Sequence, residues 1–200
     1  MQELWSSASY EAHLLSLPFA LAPTAMLIVI AYTAVMRGAP VIRGYLLAHA
    51  MSLLPYGTVV MLSPSIKDPD VADQLFRFAA CSIPLAAATG TGFQLALVRK
   101  HRRYRTFIWC LIASTLIWVV LASMTTAALD GVRRLAGFWY PNAGRWAWLA
   151  LVHTLLIALP GFLALGHAAW TTKPSDERRQ LRAAFLANAV TYAGLVDVGL

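Results

Sequence analysis

Six apolar stretches, at 18–36, 42–63, 76–98, 106–129, 146–171 and 183–200, fill a chain of 200 residues. The first five have about 20 residues or more, and a helix rising about 1.5 Å per residue needs that length to cross a hydrocarbon core of about 30 Å. Hydrophobic residues make up 59% of the chain and charged residues 12%, where a soluble domain carries roughly 25% charged residues. Mean hydropathy is +0.62. Such a chain would expose large apolar patches to water, so lipid is its expected solvent. The expected architecture is all-α: a polytopic transmembrane helix bundle of six spans over 18–200, preceded by a lead-in over 1–17. The lead-in holds Glu3, Glu11 and His13 but no Lys or Arg, so it lacks the positive n-region of a secretory signal. Its Trp5 and Tyr10 suit anchors at a membrane interface.

The net charge of +7 does not imply a nucleic-acid partner, because the cations lie in short runs between apolar stretches, where membrane topology uses them. The first connection holds Arg37 and Arg43. The third holds Arg99, Lys100, Arg102, Arg103 and Arg105, and the fifth Lys173, Arg178, Arg179 and Arg182. Against these eleven stand five on the other side: Lys67, Arg77, Arg133, Arg134 and Arg145. The positive-inside rule therefore predicts an outside N-terminus and cytoplasmic odd connections. The outer connection 64–73, rich in Pro, Asp and Ser, favours turns. The outer connection 130–145 contains Gly137, Phe138, Trp139, Tyr140, Pro141, Asn142 and Gly144, with Trp146 and Trp148 following. It reads as an aromatic belt with a tight turn, or as a lid over a pocket in the bundle, with Trp139 and Tyr140 as candidate ligand contacts.

Motifs for catalysis, metals and cofactors are missing: the chain has no CxxC, HExxH, P-loop or GxSxG, so neither a metal nor a cofactor is expected. Cys81 and Cys110 fall at depths differing by about 15 Å, too far for a disulfide, and read as packing residues. Thr89-Gly90-Thr91-Gly92 lies within a span and forms, with Ala86, a face of small residues that lets helices approach closely. Pro23, Pro55, Pro84 and Pro160 each remove a backbone hydrogen bond within a span and are expected to kink it, as shape alone or as a hinge.

Polar side chains inside spans are costly in lipid and are the better clue to function. Asp197 lies roughly 21 Å from the inner edge and His153 about 10 Å below the outer edge, so the two are expected at similar depth, able to pair across helices. A second polar layer, Gln94, Asn188 and His49, is expected nearer the inner side. These groups read either as polar glue between helices or as a ligand site. The histidines raise a b-type haem, but His49 at about 10 Å and His153 at about 20 Å from the inner edge are mismatched in depth for one bis-imidazole site, and His167 lies nearer the inner end still. The run 99–105 reads as a topology anchor able to meet anionic headgroups. In the fifth connection Ser175 suits the cap of a helix beginning near Asp176, so the sixth span is expected to start as a helix in the cytoplasm.

The order of these parts resembles the N-terminal seven-transmembrane sensor region of bacterial histidine kinases and related signalling proteins. The features that carry the resemblance are the outside N-terminus, Pro84 in the third span and the basic third connection. To these are added the aromatic, Gly-containing segment 137–148, the stretch Arg178-Arg179-Gln180 and the late acid Asp197. The resemblance covers nearly the whole chain. It implies a seventh span after residue 200 leading to a cytoplasmic output, such as a kinase or nucleotide cyclase, and it implies a homodimer in the bacterial cytoplasmic membrane. The segment itself is then expected to be a non-catalytic sensor of a small-molecule ligand or a membrane cue. The competing expectations are a six-span transporter, for which no internal repeat is visible, and a haem-binding membrane redox protein.

Overall fold

The computed structural model describes residues 10, 16–35, 39–126, 128–173 and 175–198, with side chains described as far as 189 except at 122. The chain is mostly helical. A short α1 (Ser16–Phe19) leads into α2 (Leu21–Val35), followed by α3 (Pro40–Leu62), a 3-10 turn at Ser63–Ser65, α4 (Pro69–Ala80) and α5 (Ser82–Leu97). Then come α6 (Arg105–Met124), a hairpin of β1 (Leu129–Leu135) and β2 (Phe138–Ala143), α7 (Ala147–Thr171) and α8 (Asp176–Val198). Among the described residues, four helical segments are long and apolar enough to cross a bilayer: Ser16–Val35, Pro40–Ser65, Pro69–Leu97 and Ala147–Thr171. Their make-up is that of a membrane protein. The expected lead-in lies mostly outside the described residues.

The helices differ in which faces they bury. α5 is the hub, packed against α3, α6 and α7. Its residues from Ala86 to Gly92 are all buried, and all are small. On α2, α6 and α7, by contrast, large apolar side chains such as Leu27, Ile28, Trp109, Ile117, Leu156 and Leu163 are exposed. A bundle with small residues at its centre and large apolar ones outside is built for a lipid surround, where close backbone approach replaces the hydrophobic drive between helices.

Three expectations change. The fourth span was expected to reach residue 129, but α6 ends at Met124 and Leu129 opens a β-strand. The segment after it, expected as an aromatic belt with a tight turn or as a lid, is an antiparallel hairpin, paired from Leu135↔Phe138 to Leu129↔Ala143, in an otherwise helical chain. The third span was expected to begin at 76. Its helix begins at Pro69 instead, where the Asp68 carboxylate accepts the Asp70 amide at 2.9 Å and Pro69 takes the first helical position. The helix then breaks at Cys81.

The prolines explain that break. Pro84 falls in the first turn of α5 and Pro23 in the first turn of α2, where a missing N–H costs nothing within the helix. They mark helix starts that fall within the apolar segments Ser16–Val35 and Pro69–Leu97. Pro55 and Pro160 lie inside α3 and α7, as expected of residues that bend a helix. Cys81 and Cys110 are free thiols.

The connections gather at two opposite ends. At one end the α5–α6 and α7–α8 turns meet through Arg99 and Glu177, 3.6 Å apart. At the other, Ser16 Oγ lies 2.9 Å from Ser65 Oγ and the Phe19 ring meets Phe138 at 5.1 Å. The first is the basic end and the second the hairpin end.

Candidate functional site

Two groups of candidate residues are brought together. The first is a polar seam on α5. Thr91 and Gln94 are fully buried there. The Thr91 hydroxyl donates to the Ile157 carbonyl of α7 at 2.7 Å. This lies in the turn that Pro160 disturbs, since Pro160 offers no N–H to the Leu156 carbonyl. A polar side chain from a neighbour is the usual way such a turn is steadied in lipid.

One turn further along α5, Gln94 Nε2 donates to Asn188 Oδ1 on α8 at 2.7 Å, and Asn188 Nδ2 donates to the Ala184 carbonyl at 2.8 Å. Gln94 reaches α8 because α7 has a glycine in the way: a Cβ on Gly161 would meet Gln94 Oε1 and would lie 2.9 Å from Thr91 Cα. Gly161 is thus the notch through which α5 is tied to α8. Gln94 and Asn188, expected in one polar layer, are thus brought into contact. Gly161 went unremarked in the sequence, where one glycine after a proline reads only as a kink.

His49, expected in the same layer, is engaged elsewhere. It sits on α3 against α5, with Nδ1 2.9 Å from the Ala86 carbonyl and the ring over Gly90. A carbonyl only accepts, so His49 Nδ1 carries the proton. A Cβ at Gly90 would come within 3.0 Å of His49 Cε1, and one at Gly92 would overlap the Tyr45 ring. The small face of α5 is therefore the seat of two α3 side chains.

His153 was expected to face Asp197. Its Nε2 lies 3.1 Å from Ser114 Oγ on α6 and its ring lies 5.7 Å from that of Trp118. Its Nδ1 is buried without a partner among the described residues. The Asp197 side chain lies outside the described residues. His49 and His153 each meet a different helix. Among the described residues no three His, Cys, Asp or Glu side chains come together as a metal would require.

The second group is the cap at the hairpin end. Ala136 and Gly137 turn the hairpin with φ of 49° and 87°, the pair of positive values that a tight two-residue turn needs. The turn delivers Trp139 onto the 3-10 turn after α3. Its indole Nε1 donates to the Ile66 carbonyl at 2.8 Å, and its amide donates to Ser63 Oγ at 2.7 Å. Ser63 Oγ in turn reaches the Trp139 carbonyl at 3.0 Å. The ring packs on Val59, Phe76 and Ala79 and on Ile66, Val71 and Ala72. Arg134 lies over it, 5.6 Å from the ring centroid.

Trp139 is thus a half-buried anchor of the cap, while Tyr140, its neighbour, is exposed and lies 6.5 Å from Phe138. The hairpin is seated on α3 and α4. Arg77 ties the cap to α6: it pairs with Asp73 at 2.7 Å and donates to the Thr125 carbonyl at 2.9 Å. Tyr10 packs beside Ile66, and burial there pushes its phenol above the ordinary value.

Comparison with protein-family models, with curated proteins and with solved structures gives no match to this chain.

Proposed function

We propose that this chain is the membrane-embedded input module of a bacterial signalling protein, with six spans, an outside N-terminus and the basic end in the cytoplasm. The observation that carries the reading is the continuous set of specific contacts from cap to α8. Trp139 holds the hairpin to α3 and α4, α3 seats His49 on α5, and Gln94 of α5 holds Asn188 of α8 through the Gly161 notch. A cue acting at the hairpin end would have these packed contacts through which to reach α8, provided that they have a second arrangement to shift to. The energy available for switching is the difference in the cue's affinity for two packings, nothing more.

The eleven cations of the odd connections supply the cytoplasmic assignment of the basic end. A bacterial cytoplasmic membrane, a homodimer and a kinase or cyclase output remain part of this proposal through the resemblance alone. Two experiments test it. The reading frame past codon 200 should encode a seventh apolar span and then a charged soluble domain; a stop codon there contradicts the reading. In the full-length protein, Asp197→Ala should alter output while insertion stays normal, and unchanged output at normal expression would argue against a coupling role.

A further inference from the structure

Part of the charge at the basic end is arranged by the fold. The α7–α8 junction forms a cleft lined by Ser175, Asp176, Arg178, Arg179 and Arg182. Ser175 Oγ caps α8, accepting the Arg178 amide at 3.3 Å. Two of the arginines face α7: Arg178 Nη2 lies 3.4 Å from the Trp170 carbonyl, and Arg182 Nε donates to the Ala169 carbonyl at 3.2 Å while its guanidinium lies 5.6 Å from the Trp170 ring. Cations at the last carbonyls of a helix are favourable there. Yet Arg178 Nε is buried and donates to nothing among the described residues, and His101 Nδ1 in the facing turn is likewise buried without a partner. Buried polar atoms normally have partners. Among the described residues Arg179 is paired only with Asp176, 3.8 Å away and exposed, which holds it weakly.

We propose that this cleft holds the phosphate of an anionic phospholipid, with Arg178, Arg179 and Arg182 as its cations. The choice of a lipid over a free phosphate rests on what adjoins the cleft. Trp170 is exposed beside it, and Leu186 on α8 and Leu163 on α7 are exposed beyond it. A cationic rim above an apolar, aromatic-edged surface fits a molecule with a charged head and hydrocarbon tails. The carboxylate of Asp176 in the lining opposes an anion, so the site relies on the three guanidiniums outweighing one acid. The proposal rests on the membrane reading above, but not on sensing or on which side the basic end faces.

The test is lipid retention by the full chain in nanodiscs of equimolar phosphatidylcholine and phosphatidylglycerol, read by mass spectrometry after detergent release. The expected result is selective retention of phosphatidylglycerol. Arg179→Gln, which leaves both contacts to the end of α7 intact, should weaken that retention about five-fold, the usual share of one cation near an anionic surface. Arg134→Gln at the opposite end should leave it unchanged. Equal retention of the two lipids overturns the proposal, as does retention indifferent to Arg179→Gln. Displacement by millimolar inorganic phosphate would show a free-phosphate site and also overturn it. Failure of the chain to enter nanodiscs sinks the membrane reading with it, whereas normal entry without selectivity sinks the headgroup site alone.

Discussion

Gly161 is the residue on which the polar seam turns. With Thr91 Cα 2.9 Å from where its Cβ would sit, and Gln94 Oε1 nearer still, Gly161→Ala must push α5 and α7 apart or displace Gln94 from Asn188. Overpacking of this kind costs typically ~1–3 kcal/mol, so Gly161→Ala is expected to lower thermal stability in detergent; an unchanged melting temperature would mean that the notch is not tight. The Gln94–Asn188 pair itself is expected to be worth less. A double-mutant cycle with Gln94→Leu and Asn188→Leu should give a coupling of about 0.6 kcal/mol, the average for hydrogen bonds between membrane helices. A coupling near zero would leave the two as neighbours without a bond. At this scale the sequence was informative where polarity is rare: Gln94 and Asn188 stand out in apolar surroundings, and their depths agree. For His153 depth was not enough to name its neighbours: its Nε2 and ring meet Ser114 and Trp118 on α6, since depth does not fix rotation about the helix axis, while the Asp197 side chain lies outside the described residues.

At the scale of elements, the hairpin is the part that sequence patterning concealed. The run of Phe138, Trp139 and Tyr140 after an apolar stretch has the composition of an interface belt, and the turn dipeptide is Ala136-Gly137 rather than the Asn-Gly that marks such turns. The available signal was Gly137 between Leu135 and Phe138, with Asp130-Gly131 upstream. Gly131 has a φ of 77°, and the strand register shifts between Leu129 and Val132, as at a bulge. Ala136 at a φ of 49° pays for a left-handed backbone with a Cβ, a cost of ~1–2 kcal/mol that Asn tolerates better. Ala136→Asn is therefore expected to stabilise the hairpin, seen as slower proteolytic cutting between 129 and 143; faster cutting would contradict the turn geometry. Of the helix starts, Ser175-Asp176 was legible from its cap chemistry, whereas Asp68-Pro69, which uses the same chemistry, read as part of a turn because Pro, Asp and Ser crowd 64–73. The prolines at 23 and 84 were legible as interruptions, but whether each lay inside a helix or at its start depended on chain packing.

Over the whole molecule, charge divides the two ends. The α5–α6 and α7–α8 connections, which meet at the basic end, carry nine cations and the acids Asp176 and Glu177, while 64–77 and 130–145 at the hairpin end carry five cations and four acids. The small residues of α5 draw α3 and α7 together between these ends, and the large apolar side chains of α2, α6 and α7 face outward. The separation into a lipid-facing bundle with unlike ends was readable from composition and spacing, because both follow from the cost of polar groups in hydrocarbon. The order of helices about α5 was not, since apolar faces in a membrane carry no strong pattern that selects a neighbour. The central claim is that the bundle spans a membrane with its basic end in the cytoplasm. The most direct test replaces Cys81 and Cys110 with Ser and introduces Arg145→Cys or Arg103→Cys singly. A membrane-impermeant maleimide on intact cells should label the first variant and reach the second only after permeabilisation; labelling in the opposite order, or of both in intact cells, would contradict it.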